Sequence, residues 1–252
     1  MAPLWSLEPF RTIYTVLFGL ITIIHLSFLS LCYVFRSLRP VPQWSFQTSL
    51  GAAILRAYFR YLAVIRFQRP PQLKPGRSGE RFVLIDPPDL GLFQGALAPT
   101  TTKPTPVGAV WHPAPVERNS PEPNRKVVLF AAGGALVLGW DPEETVCTVS
   151  EVLTRNFAAT NVLYIQYRLA SPESPFPAAV QDLLTGYQYV LSLGVSPKDI
   201  ILIGDSAGAN VILAFLRYLQ SARTTLPHPG GTVIFSPNDA RRLIRSDLML
   251  YL

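Results

Sequence analysis

Ile200-Ile201-Leu202-Ile203-Gly204-Asp205-Ser206-Ala207-Gly208 joins an apolar, strand-like run to a helix-like stretch from Ala209 to Leu219. A Gly-x-Ser-x-Gly pentapeptide at such a junction forms a sharp turn that only small flanking residues fit. The turn lifts the serine hydroxyl clear of the strand and sets it at a helix amino terminus, where the helix dipole favours negative charge. Ser206 is therefore the candidate nucleophile.

Working outward, Lys126–Phe130, Asn161–Tyr167, Asp199–Ile203 and Gly231–Phe235 read as short β-rich runs. Thr145–Arg155, Pro177–Leu193 and Ala207–Gln220 read as helices between them. These helices supply the crossovers that parallel strands need, so the fold class is α/β: a mostly parallel sheet with flanking helices. Residues 69–125 hold a large share of the 24 prolines and read as loops, with Arg81–Asp86 as the one strand. The run Lys126–Gly139 ends its strand in the pair Gly133-Gly134. Unhindered amides there can point at the oxyanion of a tetrahedral intermediate, and losing one such donor costs about 10²–10³ in rate.

The charge is unevenly placed. The chain carries +6 overall, of which residues 1–75 hold +7 and residues 76–252 hold −1. A nucleic-acid partner is not expected, because the folded domain lacks the positive charge; membrane phospholipid is the expected acidic partner. Thr12–Phe35 is 24 residues without a formal charge, a helix of about 36 Å against a bilayer core of about 30 Å. Arg36-Ser37-Leu38-Arg39-Pro40 follows it in place of a small-residue cleavage site, which favours an uncleaved single-pass anchor over a signal peptide. Only Arg11 and the amino terminus precede the span, so the following domain is expected in the cytoplasm, on the endoplasmic reticulum for example. Gly51–Phe67 reads as an amphipathic helix, lying on the membrane or covering the domain. Arg66 falls near its apolar face. The expected organisation is a tail over 1–11, the transmembrane anchor over 12–35, a membrane-proximal helix and proline-rich lead over 36–106, and the catalytic domain over 107–252. Cys32 and Cys147 form no disulfide framework, His25 is a tolerated polar residue of the span, and neither metal nor cofactor is expected.

Gly204–Gly208, the glycine pair, and Tyr167-Arg168-Leu169-Ala170 leading into Phe176-Pro177-Ala178-Ala179 together resemble the α/β-hydrolases of the hormone-sensitive-lipase type, and among them the membrane-anchored fungal esterases of secondary metabolism. The resemblance covers roughly Gly108 to Pro237. It implies a cofactor-free serine hydrolase of a small apolar carboxylic ester, with Ser206 as nucleophile and the amides of Gly133, Gly134 and Ala207 as oxyanion hole. Asp205 is then a structural neighbour of the nucleophile. Two departures stand out. The family's oxyanion motif begins His-Gly-Gly, and Ala132 takes the histidine's place; Ala135 stands at the third glycine position. The family's acid and histidine follow the serine, yet His228 is the only histidine after Ser206. The helix beyond Ser206 carries the chain about 22 Å to the opposite edge of the sheet before His228, and His112 precedes the sheet core. Asp239, just past Gly231–Phe235, is at the correct edge for a triad acid; the other reading is a turn cap after Ser236-Pro237-Asn238. On this reading the sheet is incomplete at its carboxy-terminal side. The alternative is a catalytically silent, truncated hydrolase-like protein lacking the triad histidine.

Overall fold

The computed structural model describes residues 7–65, 71–119, 125–221 and 224–236 of the 252-residue chain, which divides into two compact units at residue 67. Asp239 and Arg66 lie outside the described residues.

The first unit is a pair of helices, α1 (Phe10–Tyr33) and α2 (Phe46–Ile65). α2 opens at Phe46, five residues before the expected Gly51, because the hydroxyl of the preceding Ser45 accepts the amide of Thr48 at 3.0 Å and so satisfies one of the four unpaired donors of the first turn. Near the other end of α2, Tyr61 stacks on Tyr14 with ring centroids 6.2 Å apart and leans on Phe18 at 5.4 Å, and its hydroxyl meets that of Thr15 at 2.8 Å. The turn between the helices is held by Arg39. Its guanidinium donates to the carbonyls of Tyr33 and Val34 at the end of α1 and to that of Trp44, placing a cation at the negative end of the α1 dipole. Leu17, Leu20, Ile21, Ile24 and Phe28 leave more than half of their surface exposed along α1. By length and composition α1 can cross a bilayer, as an anchor or a signal sequence does.

The second unit is a six-stranded sheet in the order β1-β2-β4-β3-β5-β6, formed by β1 (Phe82–Ile85), β2 (Val107–His112), β3 (Val127–Ala131), β4 (Asn161–Ile165), β5 (Ile200–Asp205) and β6 (Gly231–Phe235). From β4 to β6 all neighbours are parallel; β2 runs antiparallel to both β1 and β4. β2 falls within residues 69–125, where the sequence indicates loops and a single strand at Arg81–Asp86. Pro104, Pro106, Pro113 and Pro115 crowd its ends but none falls inside it, and Val107, Ala109, Val110 and Trp111 are buried.

Alternation along the strands sorts the core onto two faces. Ala109, Trp111, Leu129, Leu163 and Ile165 pack with residues of α4 (Ala178–Ser192) and α5 (Ser206–Ser221), while Val110, Val128, Phe130, Val162 and Tyr164 pack with Val146 and Leu153 of α3 (Pro142–Phe157). α3 opens three residues before the expected Thr145. Asp141 caps it by accepting the amides of Glu143 and Glu144, and Pro142 occupies the first turn, where its missing N–H costs nothing. The left-handed Ala158, at φ 50°, closes it.

Arg168, just beyond β4, is locked to Asp182 of α4. Nε lies 3.0 Å from each carboxylate oxygen, Nη2 donates to Oδ1 at 2.8 Å, and the backbone amide of Arg168 donates to Oδ2 at 2.7 Å. The remaining guanidinium donors reach the carbonyl of Lys103 and the Gln181 side chain. With Asp182 only 1% exposed and Arg168 17%, removing one partner leaves the other without a counter-charge in a low-dielectric interior. Asp182→Ala is expected to destabilise the protein by about 3–5 kcal/mol, measured as the shift in urea-unfolding free energy against wild type. A change below about 1 kcal/mol would place the pair among ordinary surface contacts.

Candidate active site

No residue intervenes between β5 and α5: the strand ends at Asp205 and the helix begins at Ser206, whose φ of +47° lies in the left-handed region that a side chain enters only under constraint. The constraint is close packing. A Cβ on Gly208 would lie 2.0 Å from the Ala131 carbonyl oxygen, and one on Gly204 would lie 2.8 Å from the Ile212 methyl. The two glycines let the first turn of α5 press against the end of β3, and Ser206 is the residue that must turn between them. Its hydroxyl stands at the amino terminus of a 16-residue helix, where the first amides, that of Ala207 included, have no intrahelical acceptor.

The loop after β3 comes to the same place. The Gly133 amide donates to Asp205 Oδ1 at 2.8 Å, and a Cβ on Gly133 would meet Oδ2 of the same carboxylate at 2.4 Å. Beyond it the backbone turns through three left-handed residues, Gly134 (φ 127°), Ala135 (φ 53°) and Leu136 (φ 61°). The Gly134 carbonyl closes this turn by accepting the amides of Val137 and Leu138, and the Ala170 amide holds the Leu136 carbonyl. Two aromatic side chains donate into the loop: the Tyr167 hydroxyl to the Ala132 carbonyl, and the Trp140 indole N–H to the Gly133 carbonyl at 2.8 Å. Burial first, then the neighbouring Tyr164 and Asp205, push the Tyr167 phenol well above its ordinary pKa, so it stays protonated and remains a donor.

Of the three amides expected to form the oxyanion hole, Gly133's is thus turned to Asp205, while Gly134's makes no hydrogen bond among the described residues. The Gly134 amide is left without an acceptor among the described residues, and the Ala207 amide opens α5 next to Ser206. A small cavity lined by Ala132, Gly133, Trp140, Tyr164 and Tyr167 lies behind the loop, and Ser206 is not among its lining residues.

Neither histidine of this unit is near the serine. His112 pairs with Val162 at the start of β4, and His228 lies between Pro227, whose carbonyl accepts the Tyr187 hydroxyl, and Gly230, whose amide bonds to the first residue of β5. Both occupy the edge where the parallel strands begin, opposite Ser206. Among the described residues no imidazole or carboxylate hydrogen-bonds to Ser206 Oγ, and no cluster of metal-binding side chains occurs.

Sequence reasoning missed Trp140 and the hydroxyl of Tyr167. Tyr167 was visible as part of a motif, but its partner was not. Trp140 reaches back seven residues only because of the left-handed turn, and Ala135 and Leu136 give no compositional sign of one.

Residues 128–249 match the α/β-hydrolase fold family. An acetyl-hydrolase of Streptomyces hygroscopicus is 38% identical over 112 residues, covering 44% of this chain and 36% of that protein. An esterase of Acinetobacter venetianus is 34% identical over 114 residues, covering 44% and 35%. The carboxylesterase NlhH of Mycobacterium tuberculosis is 32% identical over 172 residues, covering 66% and 45%. The chain therefore spans between about a third and a half of the length of these relatives.

Asp205 is expected to act on the glycine loop and not on the substrate. Asp205→Ala should cost about 1–3 kcal/mol by stranding the Gly133 amide, and Asp205→Asn, which retains an acceptor oxygen, should cost less. Equal losses in urea unfolding for the two variants would show that this hydrogen bond does not hold the loop.

Proposed function

We propose, since the second unit of this chain belongs to the α/β-hydrolases and is hormone-sensitive-lipase-like, that the protein is a serine-dependent hydrolase of a small apolar carboxylic ester. The observation that carries the reading is Ser206 itself: a left-handed residue at a strand-to-helix junction, between two glycines that leave no room for a side chain, at the end of a strand whose last carboxylate holds the Gly133 loop. The names of the relatives, esterase and acetyl-hydrolase, support the ester class.

On this reading Ser206 Oγ attacks the ester carbonyl. The carbonyl oxygen, gaining negative charge, is met by the amides of Gly134 and Ala207 and by the positive end of the α5 dipole. Collapse of the intermediate expels the alcohol and leaves the acyl group on Ser206, to be released by water. Gly133 contributes through its bond to Asp205, which holds the loop, and Asp239 is the candidate acid of the triad. A serine hydroxyl is a weak nucleophile until a base takes its proton. The base is the component that the described residues do not supply.

α1 would tether the protein to a membrane as a single-pass anchor, with the hydrolase unit in the cytoplasm. Apolar substrate partitioning into the bilayer would then be concentrated near the enzyme. The resemblance to membrane-anchored fungal esterases supports a polyketide or terpenoid ester of secondary metabolism as substrate.

The test is exposure of the detergent-solubilised full chain to a fluorophosphonate probe, read by intact mass, together with p-nitrophenyl acetate hydrolysis. Labelling and turnover are expected in wild type and absent in Ser206→Ala. Folded wild-type protein that neither labels nor turns over would favour the second reading, a hydrolase fold without catalysis, to which Ala132 in the histidine's place also points.

A further inference from the structure

Ala132 stands where a histidine would brace the glycine loop, yet the loop is not loose: each of its first two peptide groups is held by an aromatic donor. A trans peptide is planar, with its carbonyl and its N–H pointing in opposite directions, so fixing one fixes the other. The Tyr167 hydroxyl on the Ala132 carbonyl sets the Ala132–Gly133 plane, whose N–H runs to Asp205 Oδ1. The Trp140 indole on the Gly133 carbonyl sets the Gly133–Gly134 plane, whose N–H is that of Gly134, which makes no hydrogen bond among the described residues.

A second contact ties Trp140 to the same peptide. A Cβ built on Gly134 would lie 3.2 Å from the indole nitrogen and 2.7 Å from the Leu138 carbonyl oxygen. Gly134, at φ 127°, therefore sits where the indole and the turn that follows leave no room for a side chain. Trp140 is 41% exposed. Its ring is not a core residue whose position packing alone explains, and the polar edge is the part turned inward.

We propose that Trp140 is a positioning residue for catalysis: by donating its indole N–H to the Gly133 carbonyl it aims the Gly134 amide at the developing oxyanion. The inference rests on the ester-hydrolase reading of Ser206. A donor misaligned at the oxyanion loses its effect in the transition state more than in the ground state, so the loss belongs in kcat.

The experiment compares wild type with Trp140→Phe, which keeps a ring but removes the N–H, and Trp140→His, which restores a ring N–H. All are full chains in detergent, assayed with p-nitrophenyl acetate and for the rate of fluorophosphonate labelling, with melting temperature as the control for folding. Trp140→Phe is expected to lose kcat by between about tenfold and 10²-fold, short of the 10²–10³ of a donor removed outright, with KM within about twofold. Trp140→His is expected to recover part of the loss. Should Trp140→Phe fail to fold, a tryptophan analogue with sulfur in place of the indole N–H makes the same comparison at unchanged shape. A folded Trp140→Phe, or the sulfur analogue, that retains wild-type kcat overturns the inference and leaves the ester-hydrolase reading standing. Wild type that neither labels nor hydrolyses overturns both.

Discussion

The hydrogen bond from the Gly133 amide to Asp205 joins the two loops on which the site depends. Asp205 is the last residue of β5 and Gly133 follows the last residues of β3, so one bond of 2.8 Å ties the turn presenting Ser206 to the turn that carries Gly134. The strands beneath are already in register, Ala131 beside Gly204. Without the bond the sheet would still set the height of both loops but not the distance between the Ser206 turn and the Gly134 peptide. A carboxylate is suited to this because it accepts a charge-assisted bond in a half-buried setting, where a neutral acceptor holds less firmly.

The same arrangement recurs one strand away. Beyond β4 the chain is fastened by Arg168 to Asp182 of α4, and from that anchored segment Tyr167 reaches the Ala132 carbonyl and the Ala170 amide reaches the Leu136 carbonyl. The rigid pair thus supports the glycine loop from the side opposite Asp205. Tyr167, Trp140 and Asp205 surround the loop, and their partners are backbone groups, so each constrains direction as well as position. This accounts for a glycine loop that stays ordered with alanine in the place of the usual histidine.

The parallel core was legible in the sequence because its strands and crossovers follow simple periodicity. Val127–Ala131, Asn161–Ile165 and Ile200–Asp205 lie within a residue or two of their expected bounds, and Gly231–Phe235 coincides. β2 was not legible, since prolines on both flanks masked a six-residue strand whose burial comes from two neighbours distant in sequence. The placement of Ser206 could be read from five residues, because that turn is a local steric problem. The different settings of the Gly133 and Gly134 peptides could not. They depend on Asp205, Tyr167 and Trp140 converging from three segments, and on the left-handed Ala135 and Leu136, which composition does not signal.

The most direct test of the account is a crystal structure of the protein with Ser206 phosphonylated, in which the phosphoryl oxygen stands for the oxyanion. The account predicts that oxygen within hydrogen-bonding distance of the Gly134 and Ala207 amides, with the Gly133 amide still on Asp205. An oxygen bound by Gly133 in place of Gly134, or bound by neither, would contradict it.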